Sequence, residues 1–218
     1  MKQLIFFAAL ILILSSACQK PKNFSIYCIG DSTMANKLKE AYPETGWCMV
    51  LGDYFNETVT VSNHAKNGRS SKSFINEGLW QTVLDSLQKG DYVFIQFGHN
   101  DKKDYDTTRY TTPFGTYTAN LKKFVNETRK KGANPVLFTS IVRRKFGENG
   151  KLIDTHGNYP VATRQVADNL DVPLIDLQAL TEEYVNSIGD EASKEMYLWT
   201  DITSKSFPEP RKDDTHLS

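Results

Sequence analysis

The sequence holds 218 residues, 39% of them hydrophobic and 24% charged, and its 26 basic and 26 acidic side chains cancel to a formal net charge of zero. That balance leaves no electrostatic footprint for nucleic acid or for an anionic membrane surface. At about 150 residues per domain, the chain reads as one domain of about 200 residues behind a short leader, long enough to bury its own core.

The leader comes first. Met1-Lys2-Gln3 is a short basic start, residues 4–14 are nearly all apolar, and Ser15-Ser16-Ala17-Cys18 places small residues before a cysteine. The apolar run is too short for a permanent membrane span, so it predicts export. Small residues ending at a cysteine predict a lipoprotein-type signal over residues 1–18, with lipid on Cys18 and residues 19–23 as a tether. Ordinary secretory cleavage, with Cys18 incidental, is the alternative. The expected location is the periplasm or the outer-membrane or cell surface, otherwise the medium. Cys28 and Cys48 remain. Such a compartment permits a disulfide, but Cys28 in an apolar strand also suits a free buried thiol, and the sequence leaves the pairing open.

The domain, residues 24–218, alternates two patterns. Residues 24–29 read as a buried strand ended by Gly30-Asp31. Residues 41–55 carry Trp47, Val50, Leu51, Tyr54 and Phe55 at helical spacing and predict a helix. Residues 59–63 are β-rich, and residues 66–71 form a polar loop around Gly68. A helix is predicted over 74–89, a strong strand over 92–97, and an amphipathic helix over 117–131 with Gly132 as its cap. A strand over 135–140, a helix over 159–170, a strand over 172–177 and a helix over 181–189 complete the pattern. Short continuous apolar strands between helices indicate a parallel sheet covered on both faces. Ligands of such sheets bind at the carboxyl ends of the strands, where the polar clusters after Ile29, Ser62, Phe97 and Ser140 fall.

Three of these clusters carry chemistry. Ser32 follows the first strand in Gly30-Asp31-Ser32-Thr33. A hydroxyl is a weak nucleophile until a base takes its proton. His216 is a candidate base, and Asp213 lies three residues before it, close enough for both side chains to come from one short turn. A developing oxyanion needs donors placed beforehand. The backbone N–H groups of Ser32 and Gly68 and the amide of Asn100 are the candidates. Each piece alone has a plainer reading: a turn, a solvated tail, a strand-end loop. Their combination at successive strand ends is what points to acyl transfer.

On these residues the chain resembles the SGNH/GDSL hydrolase superfamily, with Ser32, Gly68, Asn100 and His216 in its four blocks and Asp213 beside the histidine. It is similar in particular to the rhamnogalacturonan acetylesterase-like branch. The resemblance lies in Gly30-Asp31-Ser32-Thr33, in the Asn67-Gly68-Arg69-Ser70-Ser71 stretch running to Phe74, in Phe97-Gly98-His99-Asn100-Asp101, in Thr155-His156-Gly157 with Tyr159-Pro160, in Arg164 and in Asp213-Asp214-Thr215-His216. It runs from about residue 25 to the end. It implies a flavodoxin-like three-layer α/β/α fold with about five parallel strands. It also implies metal-free, cofactor-free removal of acetyl groups from pectic or other plant polysaccharides through an acetyl-serine. The substrate partner expected is thus an acetylated oligo- or polysaccharide, and the membrane enters only through a lipid on Cys18. Relatives continue past the histidine into a closing helix, so a domain truncated at its C-terminus, less stable and less active, is expected. Two alternatives stand beside this reading. One is a lysophospholipase, thioesterase or arylesterase on the same scaffold, and the other is a glycan-binding relative without catalysis.

The remaining candidates have weaker patterns. Arg69, His99 and His156 are expected near the substrate cleft, the histidines chiefly ordering loops. Arg143, Arg144 and Lys145 divide between solubility and recognition of uronate carboxylates. His64 is expected to be structural, Trp47 and Trp80 to pack on helical core faces, and Trp199 to pack in the core, with stacking on a sugar as its alternative.

Overall fold

A computed structural model of the protein describes residues 23–203 and 206–218. The expected leader, its Cys18 and residues 19–22 of the tether lie outside the described residues.

Five strands form one parallel sheet: β1 (Phe24–Gly30), β2 (Val59–Asn63), β3 (Tyr92–Gln96), β4 (Asn134–Phe138) and the short β5 (Leu174–Ile175), in the order β2-β1-β3-β4-β5. This is the flavodoxin-like order expected. Alternate side chains separate two cores. Ile29, Val93, Ile95 and Leu137 point to one face. There they meet Phe74 of α1 (Ser71–Asn76), Trp80 and Val83 of α2 (Leu79–Ser86), Leu121 and Phe124 of α3 (Thr118–Lys130), and Ala162 and Val166 of α4 (Asn158–Asn169). Ile26 and Cys28 point to the other face, with Met34, Cys48 and Ala65.

Four elements differ from those expected from the sequence. The helix predicted over 74–89 is two helices, because Gly78 takes a left-handed φ of 74° between them. The helix predicted over 41–55 is a chain of 3-10 turns at Lys39–Ala41, Trp47–Met49 and Leu51–Tyr54. Pro43 cannot donate to a helical ladder. Gly46 is pressed against the neighbouring loop so closely that a Cβ there would lie 2.1 Å from the Ala35 carbonyl oxygen. Cys48 is then tied to β1 by a Cys28–Cys48 disulfide, which settles the open pairing. Those turns, rather than a helix, make the third layer over this face. Beside them Ile26, Phe94, Val136 and Ile175 line an apolar groove of about 250 Å³. The strand predicted over 172–177 shortens to β5, and the helix over 181–189 lengthens to α5 (Leu177–Ser193), kinked at Gly189.

One feature absent from the sequence reading carries the base. β6 (Tyr197–Thr200) and β7 (Arg211–Leu217) form a separate antiparallel pair. Leu198 faces Asp213 while Tyr197 faces Leu217, so Asp214, Thr215 and His216 loop out of register. The expected short turn is this bulge.

Candidate active site

The first strand ends under steric constraint. A Cβ on Gly30 would lie 2.6 Å from the Gln96 carbonyl oxygen, so only glycine lets β1 pass β3 there. Buried Asp31 then folds the turn: its Oδ1 accepts from Thr33 N–H at 3.0 Å and Thr33 Oγ1 at 2.8 Å. Burial raises the Asp31 carboxyl above the usual range, partly opposed by those two bonds. The turn presents Ser32 at the sheet edge, as the strand-end argument requires.

His216 Nε2 lies 2.8 Å from Ser32 Oγ, and His216 Nδ1 lies 2.8 Å from Asp213 Oδ2. The other carboxylate oxygen of Asp213 accepts the backbone N–H groups of Thr215 at 2.8 Å and His216 at 3.1 Å, which shapes the bulge. Burial alone would raise the Asp213 carboxyl. The hydrogen bond and charge of His216 and the two backbone donors outweigh it and hold the carboxyl well below the usual range. Asp213 is therefore an anion fixed against one imidazole nitrogen, leaving the other to accept the serine proton.

The loop after β2 and the loop after β3 face this pair. Gly68 has a φ of 76°, a conformation that suits glycine. Buried Asn100 donates Nδ2 to the Arg69 carbonyl at 3.0 Å, joining the two loops and leaving one amide proton uncommitted. Among the described residues, the N–H groups of Ser32 and Gly68 donate to no protein acceptor. Asp101 anchors the same loops through Ser71 and Thr111, and burial pushes its carboxyl up to about 7 against those bonds.

The three weaker candidates divide. Arg69 is half-exposed, but its guanidinium is held by Glu77 at 2.9 Å and by the Asn67 carbonyl at 2.9 Å, so it first of all shapes the Gly68 loop. His99 and His156 are buried and bond to each other, Nδ1 to Nε2 at 3.1 Å. Their mutual bond ties the segment before Gly157 to the residue next to Asn100. Burial lowers both, with His156 down to about 3 and His99 well below its ordinary value. His64 is half-buried and shares a hydrogen with Ser62 Oγ at 2.9 Å.

Two supporting residues escaped the sequence reading. Lys37 has a side chain only 1% exposed, and its Nζ reaches the Ser32 carbonyl at 2.6 Å, Asn67 Oδ1 at 3.0 Å and Glu44 Oε1 at 2.7 Å. It thus ties the nucleophile turn to the Gly68 loop. Next to Glu44, Thr45 donates its N–H to the Leu217 carbonyl at 2.9 Å, reaching the strand of the base. Arg144, read from sequence as a solubility or uronate residue, is buried instead. It bonds Asp214 Oδ1 at 2.8 Å, Ser193 Oγ at 3.1 Å and Asp190, and stacks on Trp199 at 4.7 Å. It clamps the bulge that carries Asp213 and His216 to the end of α5. Nothing in the local sequence distinguishes a buried Arg144 from its exposed neighbour Lys145.

Residues 28–215 match the GDSL-like Lipase/Acylhydrolase family. The chain belongs to that family. Its curated relatives include the rhamnogalacturonan acetylesterase RhgT of Bacillus subtilis, 41% identical over 198 residues that cover 90% of this chain and 84% of RhgT. The crystal structure of protein YxiM of B. subtilis superposes with a TM-score of 0.74 at 26% identity, over 90% of this chain and 52% of YxiM, so the chain spans about half of that protein. A variant of Axe2, an acetyl-xylooligosaccharide esterase from Geobacillus stearothermophilus, superposes with a TM-score of 0.60 at 21% identity, over 78% of this chain and 84% of Axe2, which shows a common fold. In this member of the GDSL-like family the sheet carries a connected serine, histidine and aspartate.

Proposed function

We propose that the protein is an exported serine acetylesterase that removes acetyl groups from a pectic-type plant polysaccharide through an acetyl-serine. The observation that carries the reading is the continuous chain from Ser32 Oγ through His216 to Asp213, with both contacts at 2.8 Å. The 41% identity to RhgT, named a rhamnogalacturonan acetylesterase, supports the substrate class. The basic, apolar, small-residue leader ending at Cys18 supports export and a lipid anchor.

In this reading His216 Nε2 takes the Ser32 proton as Oγ attacks the acetyl carbonyl. The carbonyl oxygen becomes an oxyanion, which accepts the uncommitted N–H groups of Ser32, Gly68 and Asn100. Collapse breaks the bond to the sugar oxygen, which leaves with the proton from His216. Water then gives its proton to His216 and attacks the acetyl-serine; the C–O bond to Oγ breaks, acetate leaves, and His216 returns the proton to Ser32 Oγ. Asp213 holds Nδ1–H throughout and stabilises the imidazolium.

Acetate release from acetylated rhamnogalacturonan, acetylated xylan and 4-nitrophenyl acetate tests the reading. Ser32→Ala should lose on the order of 10⁴-fold or more in kcat on every substrate turned over. Activity that survives Ser32→Ala, or turnover of long-chain acyl esters with none of acetylated glycans, would sink it.

A further inference from the structure

Two hollows adjoin residues that support the nucleophile turn. The first, about 720 Å³, is lined by Asn36, Leu38, His64, Asn67, Arg69 and Thr82 among others. The second, about 530 Å³, is lined by Lys37, Leu38, Lys39, Tyr42, Thr45 and Met49 among others. Both fall in the range of about 300–1,000 Å³ usual for small-ligand sites. Leu38 lines both and stands between them as a ridge, 75% exposed, with Tyr42 66% exposed beyond it.

Their placement connects them to the chemistry. The first hollow ends at Asn67, the residue before Gly68. The second holds Thr45, whose N–H meets the carbonyl of Leu217 next to His216. Lys37 lies beneath, bonded to the Ser32 carbonyl. The ridge residue Leu38 is thus joined to the nucleophile turn through its neighbour Lys37.

Their lining fits one kind of ligand. A sugar ring presents apolar C–H faces and a rim of hydroxyls, so it needs flat apolar surface beside fixed donors. Tyr42, Leu38 and Met49 supply exposed apolar surface. The amides supply the donors. Asn36 Oδ1 accepts from Asn63 Nδ2 at 2.9 Å, and Asn67 Oδ1 accepts from Lys37 at 3.0 Å. Each amide is oriented through its oxygen, and among the described residues neither Nδ2 donates to any group. The oriented amides belong to the first hollow and Tyr42 and Met49 to the second, with Leu38 common to both, so apolar surface and fixed donors meet across the ridge.

We infer that these hollows are two sugar-binding subsites, one on either side of the Leu38 ridge, that hold the glycan chain on which the acetyl group is carried. The inference rests on the acetylesterase reading above and adds where the chain lies. Steady-state kinetics on acetylated rhamnogalacturonan oligosaccharides and on 4-nitrophenyl acetate test it with Tyr42→Ala and Leu38→Asp. Each variant should lower kcat/KM on the oligosaccharide about tenfold, mainly through KM, and leave 4-nitrophenyl acetate within about twofold. Tyr42→Phe, which keeps the ring, should match the parent on both substrates. Tyr42→Ala alone decides if Leu38→Asp does not fold. Equal losses on both substrates, or no loss on the oligosaccharide, would overturn the subsites while leaving the esterase reading standing. A parent enzyme that cleaves 4-nitrophenyl acetate but no acetylated oligosaccharide would overturn the polysaccharide reading, and the subsites with it.

Discussion

Ser32 and His216 are separated by 184 positions, yet their reacting atoms meet at 2.8 Å. That contact is held by groups that do no chemistry themselves. Lys37 is the clearest, since one buried ammonium binds the Ser32 carbonyl, Asn67 and Glu44. Small displacements of a nucleophile cost large factors in rate. Lys37→Met should therefore lower kcat on 4-nitrophenyl acetate on the order of 10- to 100-fold per titrated active site, with little change in KM. Turnover per titrated site equal to the parent would show that Lys37 only stabilises the fold. His156 makes a prediction of another kind. Its folded value is about 3 against an ordinary 6.5, so the folded protein refuses a proton that the unfolded chain binds below about pH 6.5. Its contribution is present above that pH and is lost as the pH falls towards 3, at up to about 1.4 kcal/mol per pH unit. Denaturant titrations of His156→Gln should show a flatter loss of stability between pH 6 and 4 than the parent. An unchanged slope would mean that other groups carry the acid sensitivity.

At the scale of elements, the parallel strands β1, β3 and β4 were legible because each is a short apolar run ended by a polar cluster, and β2 through its β-branched residues. Strand ends in such a sheet share one edge, so Ser32, Gly68 and Asn100 could be placed together from residue order alone. What was not legible has physical causes. The turns over residues 39–54 carry apolar residues at helical spacing, but Pro43 and the close approach at Gly46 forbid the helix. The break at Gly78 depends on a left-handed φ that the sequence does not display. The β6–β7 pair was missed because its pairing skips register, and because β7, Arg-Lys-Asp-Asp-Thr-His-Leu, lacks an apolar run. The burial of His99 and His156 follows from their contact across 57 positions, which no local pattern records. Arg144 is the element-scale counterpart of Lys37, since it fastens the β7 bulge to α5. Arg144→Leu removes charged hydrogen bonds to partly exposed aspartates, and should cost about 2–3 kcal/mol of unfolding free energy together with a fall in kcat. Unaltered stability in urea titrations would contradict that role.

For the whole molecule, the sheet divides labour between its faces and its edge. One face is sealed by four helices around Phe74, Phe97 and Phe124. The other is covered by turns stapled through Cys28–Cys48, a link worth about 3 kcal/mol by loop-closure entropy for a separation of 20 residues. The edge gathers four distant segments into one reactive cluster, with the Leu38 ridge and its two hollows beside it. In this cluster Ser32 Oγ is the atom that carries the acyl group. Acid-quenched mass spectrometry during the first turnovers of 4-nitrophenyl acetate tests this most directly. One acetyl group should appear on the peptide that contains Ser32, and none on that peptide in Ser32→Ala. An acetyl group on another residue at the rate of turnover, or full turnover with Ser32 never acylated, would contradict the account.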